Sequence, residues 1–196
     1  MIVQRPTPND TKSAETRRAA FLAAIPPSVL YAEDKLPSVV RAMNASSRSK
    51  LHRIYQVAEN IAKAREPFVA CGKGCASCCH MNVSLTKAEA ERLGAAISRN
   101  PAALSCSISH SLEEFAGSPC PFLDGEAGCS VYAHRPLACR KHASFFQNAA
   151  PCHPSVMNDL KVPSVRFSGL DEALFAVGDA DAAILADIRD FFPRKA

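Results

Sequence analysis

The sequence has no tryptophan, 3 tyrosines and 8 glycines among its 196 residues. With so little glycine and no recurring period, it is neither a collagen-like chain nor a coiled coil nor a repeat array. Long apolar runs are missing near the N-terminus, where the longest, Ala19 to Ile25, is far short of the roughly 20 residues of a membrane span. The opening MIVQRPTPND lacks the basic-then-apolar order of a secretory leader, and its prolines and polar residues oppose one. No single sign of charge dominates: 21% of residues are charged, 47% are hydrophobic and the net charge is +4. That balance excludes wholesale disorder. Together these absences predict a cytoplasmic protein with no membrane segment, in a compartment where thiols stay reduced.

Cysteine is what the chain has in quantity. Its 9 cysteines fall below the level of about 8% seen in small secreted disulfide scaffolds. An odd count leaves at least one thiol without an intramolecular partner. All nine lie between Cys71 and Cys152, and the flanking stretches have none. Clustered cysteines in a reducing compartment point to metal.

Charge is uneven along the chain. Residues 1–70 carry net +5, residues 71–154 net +1 and residues 155–196 net −2. The basic first block has scattered charges and almost no interleaved aromatics, so solvated helix faces explain it better than nucleic acid does. The partner, protein or small molecule, stays open.

The pattern predicts a mainly α chain with a small β-hairpin, in which flanking helices pack an irregular cysteine-rich metal-binding core. One domain over 1–196 is expected, with a helical N-terminal extension at 10–66, a cysteine-cluster module at 67–154 and a C-terminal helical segment at 155–196. A first helix, capped by Asp10 or Thr11, runs to Ala24 and stops at Pro26 and Pro27. A second starts near Pro37, with a polar interruption at Asn44 to Lys50. Its clearest stripe is Leu51, Ile54, Tyr55, Ala58, Ile61 and Ala62. Met81 to Leu85 reads as extended, and Thr86 with Glu89 forms a capping box that opens a helix to Arg99. Further helix is predicted over 101–115 and 170–192. Pro121 to Tyr132 reads as a hairpin turning at Asp124-Gly125, and Pro136 opens a helical turn bearing Cys139.

Residues 71–80 read CGKGCASCCH, four cysteines in nine positions. Gly72 and Gly74 permit positive φ, letting the loop turn thiolates back toward one centre. Neighbouring side chains such as those of Cys78 and Cys79 usually diverge, which favours a site more complex than one zinc ion held by four thiolates. One zinc, two zincs and an iron–sulfur cluster all remain open, because thiolates suit zinc, copper(I) and iron–sulfur alike. Plain burial of small hydrophobes explains an isolated cysteine such as Cys106, but not this loop. A redox dithiol would want a following βαβ pattern, which is lacking. His80, His142 and His153 follow cysteines closely and are better read as neighbours of ligands than as ligands. Cys106 and His110, four apart, have nothing converging on them. Arg135, Arg140 and Lys141 bracket Cys139, where cations would stabilise thiolates.

The stretch Cys71 to Ile97, together with CPFLDGEAGCSVY (Cys120 to Tyr132) and HRPLACR (His134 to Arg140), resembles the YkgJ family of cysteine-cluster proteins. That family is also called the CxxCxxCC zinc- or iron-chelating domain. By matching positions, the resemblance implies metal ligands Cys71, Cys75, Cys78, Cys79, Cys120, Cys129 and Cys139, with Cys152 as the distal eighth. Arg135, Pro136 and Arg140 match its Arg-Pro-x-x-Cys-Arg element. Two features depart from the pattern: the first gap is three residues rather than two, and Cys106 has no counterpart. The implied cofactor is zinc or an iron–sulfur cluster. Flagellin lysine N-methylases, which use S-adenosylmethionine, are similar in the cysteine region. A methylase is therefore one alternative function, although no Gly-x-Gly-x-x-Gly follows a convincing strand. A zinc-held interaction module is another. Catalytic residues are not identified, and whether the protein is an enzyme stays open.

Overall fold

The structure, a computed structural model, describes residues 5–72, 74–111, 113–157, 160 and 162–194. About 52% of the described residues are helical and one two-stranded antiparallel sheet is present among them, so the fold is mainly α with a small β element, as expected.

Three helices come first. α1 (Pro8–Ala24) begins at Thr7, whose hydroxyl accepts from Asp10 N while the Asp10 carboxylate accepts from Thr7 N. Asp10 is thus the distal half of the capping box rather than the cap. α2 (Pro27–Ala42) starts a full ten residues before Pro37, because Pro27 fits the first helical turn. Pro37 sits inside it and offers no N–H to the Glu33 carbonyl. The helix ends at Ala42, just before the expected interruption at Asn44 to Lys50, and Ser46 caps α3 (Ser47–Arg65), which takes in the second half of that stretch. The predicted stripe on α3 is buried at Leu51, Ile54, Tyr55, Ala58 and Ile61. No helix among the described residues is long and apolar enough to cross a membrane.

Beyond the cysteine loop, β1 (Ser84–Thr86) leads into α4 (Lys87–Ile97), opened by the predicted Thr86–Glu89 capping box. α5 (Leu137–Lys141) and α6 (Pro154–Met157) are single turns. α7 (Ser168–Phe175), β2 (Leu185–Asp187) and α8 (Ile188–Phe191) complete the order. β2 pairs antiparallel with β1 in the register Ser84–Asp187, Leu85–Ala186, Thr86–Leu185.

Among the described residues one predicted helix is not formed and a second is cut short. Over 101–115 the backbone groups are taken elsewhere: Ala102 N donates to Phe191 O, Ile108 N to Leu185 O, and Ser107 Oγ accepts from Leu185 N. Four serines in that stretch supply side chains that compete with helical bonding. Cys106 and His110 therefore share no helix face. The expected helix over 170–192 ends at Phe175. Asp179 then turns the chain by accepting from Ala182 N, and the following residues become β2. The predicted hairpin at 121–132 is a loop closed by one bridge, Leu123 to Cys129. Asp124 Oδ1 organises it by accepting from Glu126 N and Gly128 N, and the left-handed residue is Ala127 rather than Gly125.

The buried apolar residues form two clusters. The first joins α1, α2, α3 and α7 around Phe21, whose ring stands 5.6 Å from Phe145 and 6.3 Å from Phe167. α7 lies close on α2 because position 169 is glycine; a Cβ there would strike the Glu33 carbonyl. The second cluster joins β1, β2, α4 and α8 through Leu85, Leu93, Phe122, Ile188, Phe191 and Phe192. Glu89 connects the two. Its buried carboxylate accepts from Tyr55 OH of α3 (2.8 Å), Thr86 N (3.2 Å) and Leu137 N at the start of α5 (2.7 Å).

Candidate metal centre

The cysteine loop follows α3 directly. A 3-10 turn at Glu66–Phe68, begun by Pro67, ends the helix and delivers Cys71. Gly74 takes the left-handed conformation (φ 93°), as its lack of Cβ allows, whereas Gly72 does not. Cys75 N donates to Gly72 O, and a 3-10 turn at Ser77–His80 then carries Cys78 and Cys79. Cys120 is drawn in by its own N–H, which donates to Cys79 O at 2.7 Å. The Asp124 loop presents Cys129, α5 presents Cys139, and a 3-10 turn at Ala150–Cys152 presents Cys152.

Cys71, Cys75, Cys78, Cys79, Cys120, Cys129, Cys139 and Cys152 all line one cavity of about 210 Å³. Cys106 is exposed and lies outside it. The thiols are free. Among the described residues, no three cysteine, histidine, aspartate or glutamate side chains meet closely enough to share an ion. Sulfur must close to about 2.3 Å from zinc, so loading would draw these loops inward.

Electrostatics set the resting state. Burial pushes the thiols of Cys71, Cys129, Cys139 and Cys152 up, and that of Cys120 to about 11. Cys79 is the exception. The Cys78 thiol donates to it, and Arg135 and Arg189 add positive charge, so Cys79 is lowered while Cys78 is raised. Metal entry would therefore release protons from most of the set.

The histidines separate clearly. His142 lines the cavity, and its Nε2 is sealed from solvent without a hydrogen-bond partner. Burial and the nearby Arg65 lower its pKa, keeping the ring neutral. His80 Nδ1 faces Ala76 O and His153 Nδ1 faces Ser155 Oγ; neither lines the cavity. His110 bonds Asp190 and Glu114 instead of meeting Cys106.

Of the cations around Cys139, Arg135 lines the cavity, with its guanidinium stacked 3.6 Å over the Tyr132 ring. Arg140 turns away to donate to Arg135 O and Ala133 O and to pair with Glu59. Lys141 pairs with Asp171.

Residues 70–154 match the family described as "CxxCxxCC: Putative zinc- or iron-chelating domain". The match takes in all eight cavity cysteines and leaves α1, α2, α3, α7, β2 and α8 outside it. No curated protein and no solved structure shows a significant match to the chain.

Several residues that build this site carried no sequence signal. Arg189 of α8 donates to the carbonyls of Ser118 (2.6 Å), Met81 (3.2 Å) and Cys79 (3.5 Å), fastening the two segments that bear Cys79 and Cys120. Arg65, at the end of α3, donates to Arg140 O and Lys141 O and so fixes the end of α5. Ser144 N donates to Cys71 Sγ at 3.3 Å. Glu89 was visible as the far half of a capping box, and only the fold shows it also holding α5.

Proposed function

We propose that this chain chelates zinc or iron through the eight cavity thiols, and that the bound metal fastens the chain segments from which they come. The observation that carries this is convergence: cysteines from positions as far apart as 71 and 152 line one cavity, while the one cysteine outside the family pattern does not. The donor chemistry fits. Soft thiolates select zinc and iron–sulfur centres, and no carboxylate lines the cavity to favour a hard cation. The donor count favours more than one ion, since a single tetrahedral zinc would leave half the thiols unused. Reduced thiols of this number suit the cytoplasm. At about 210 Å³ the cavity is smaller than the roughly 300 Å³ at which small-molecule sites begin. It accommodates metal and sulfur better than an organic methyl donor.

Elemental analysis and a visible spectrum of the whole chain, purified without air, test this. Zinc in a colourless protein, or iron with acid-labile sulfide in a coloured one, supports chelation and names the metal. A reduced chain that neither retains these metals nor takes them up on reconstitution overturns it.

A further inference from the structure

The eight thiols are not equivalent around the cavity. We infer that metal is held at two separate positions: one by Cys79, Cys120, Cys129 and Cys139, the other by Cys71, Cys75 and Cys152 with His142. Cys78 stands between them. This rests on the chelation proposed above and adds where the ions sit.

Packing makes the first division. Cys120 belongs to the second apolar cluster, and Cys79, Cys129 and Cys139 pack against it; the other four cysteines do not. The backbone makes the same division. Cys120 N holds Cys79 O, and Arg189 clamps the carbonyls on either side of that link. Cys71, by contrast, receives the N–H of Ser144, and Cys152 also lines an adjoining cavity of about 450 Å³ whose lining includes Phe21, Phe145 and Phe167 of the first cluster. Cys75 goes with Cys71, because Cys75 N donates to Gly72 O and that turn keeps the two at one end of the loop, and Cys78 falls between Cys75 and Cys79 in the chain.

His142 completes the three-cysteine group. It shares both cavity walls with Cys152, and its Nε2 is a sealed nitrogen with no partner in the chain. A buried polar atom left unpaired calls for a ligand. Neutral imidazole is a standard fourth donor to a three-thiolate zinc site.

Arginines stand beside both groups: Arg135 lines the cavity and Arg189 donates to Cys79 O, while Arg65 holds the carbonyls of Arg140 and Lys141 next to His142. As each ion enters, the thiol protons leave to solvent and no electrons move.

Zinc(II) is the probe. The whole reduced chain is loaded anaerobically, its metal equivalents are counted, and its unprotected thiols are alkylated and mapped by peptide mass. Two equivalents are expected, falling to one in Cys129→Ser and to one in Cys152→Ser. The survivors should differ: Cys71, Cys75 and Cys152 protected in the first variant, and Cys79, Cys120, Cys129 and Cys139 in the second. Cys106→Ser should keep both equivalents. His142→Asn should weaken zinc at the three-cysteine position by tenfold or more and leave the other unchanged. If a single cysteine substitution misfolds the chain, the wild type decides, because at half-loading protection must rise by group rather than evenly over all eight thiols. Even protection, or loss of all zinc in either variant while the helices persist, overturns the two-position arrangement but leaves chelation standing. A wild-type chain that binds no zinc overturns chelation itself.

Discussion

The helical half of the molecule and the thiol-bearing half are held together by different forces. Around Phe21, Leu36, Leu51, Ile54 and Ile61 the stabilisation is hydrocarbon, each side chain 2% exposed or less, and burial of each contributes roughly 1.5–3 kcal/mol. Around the cavity the polypeptide is mostly turns and single helical turns. What fixes them is a set of polar clamps: Glu89 on Leu137 N, Arg65 on the end of α5, and Arg189 on the carbonyls of Cys79, Met81 and Ser118. The helical half has what it needs to stay ordered without metal. The thiol half is organised to receive one.

Removing metal should separate the halves most. Structural zinc supplies about 10–16 kcal/mol in small zinc-dependent folds, and here that stabilisation would fall on the segments bearing the eight cysteines. Hydrogen exchange on metal-loaded and chelator-treated chain should show amides of 75–81 and 118–140 losing orders of magnitude of protection. Those of α2 and α3 should change little. Equal loss in both halves would break the comparison.

The converse perturbation is Phe21→Ala. It removes a ring packed among Phe68, Phe145 and Phe167 and should lower stability by about 3–5 kcal/mol. Urea unfolding measures the loss, while zinc stoichiometry should be unchanged. If zinc is lost as well, the cavity depends on the apolar cluster behind it.

Arg189→Met tests the clamps. It leaves the Asp187 carboxylate, 2% exposed, without its cation and removes the side-chain donor from the Met81 and Ser118 carbonyls. A stability loss of about 2–4 kcal/mol follows. Groups that support metal ligands typically contribute 10–100-fold in affinity, so zinc competition against a chelator should weaken by about that factor. Unchanged zinc affinity would make Arg189 a fold residue alone.

The same contrast explains what the sequence made legible. Helix α3 and the Thr86–Glu89 box were readable because their signals are local: an apolar stripe of helical period and a capping pair three residues apart. The eight cavity cysteines were readable as a set because thiols are rare and their order matched a family pattern. The helix expected over 101–115 failed because its backbone partners, Leu185 and Phe191, lie some 80 residues further on. No local pattern records them. Arg189 escaped for the same reason, since an arginine in a terminal segment looks like any surface cation. His142 was weighed only by its nearness to Cys139, and its sealed nitrogen became visible only in the fold.

The smallest expected effect lies at the edge of the thiol half, where His110 joins the 101–117 loop to α8. Its Nε2 meets Asp190 Oδ2 at 2.8 Å and its Nδ1 meets Glu114 Oε1 at 2.7 Å. The hydrogen bond to Asp190 raises the histidine pKa above its ordinary value, burial opposes the shift, and Glu114 adds to it. The unfolded chain binds this proton more weakly, near the usual pKa of about 6.5. The bridge's contribution is therefore fully present below that value, while the carboxylates stay ionised, and is lost as pH rises through the raised folded value. Glu114 is largely solvent-exposed, so screening keeps the effect small. Comparing urea midpoints of wild type and His110→Gln should show the largest gap near pH 5.5–6.5, narrowing on the alkaline side. A gap that widens with pH would mean the histidine acts as a neutral hydrogen-bonding group, and that this edge is held like the helical half, without charge.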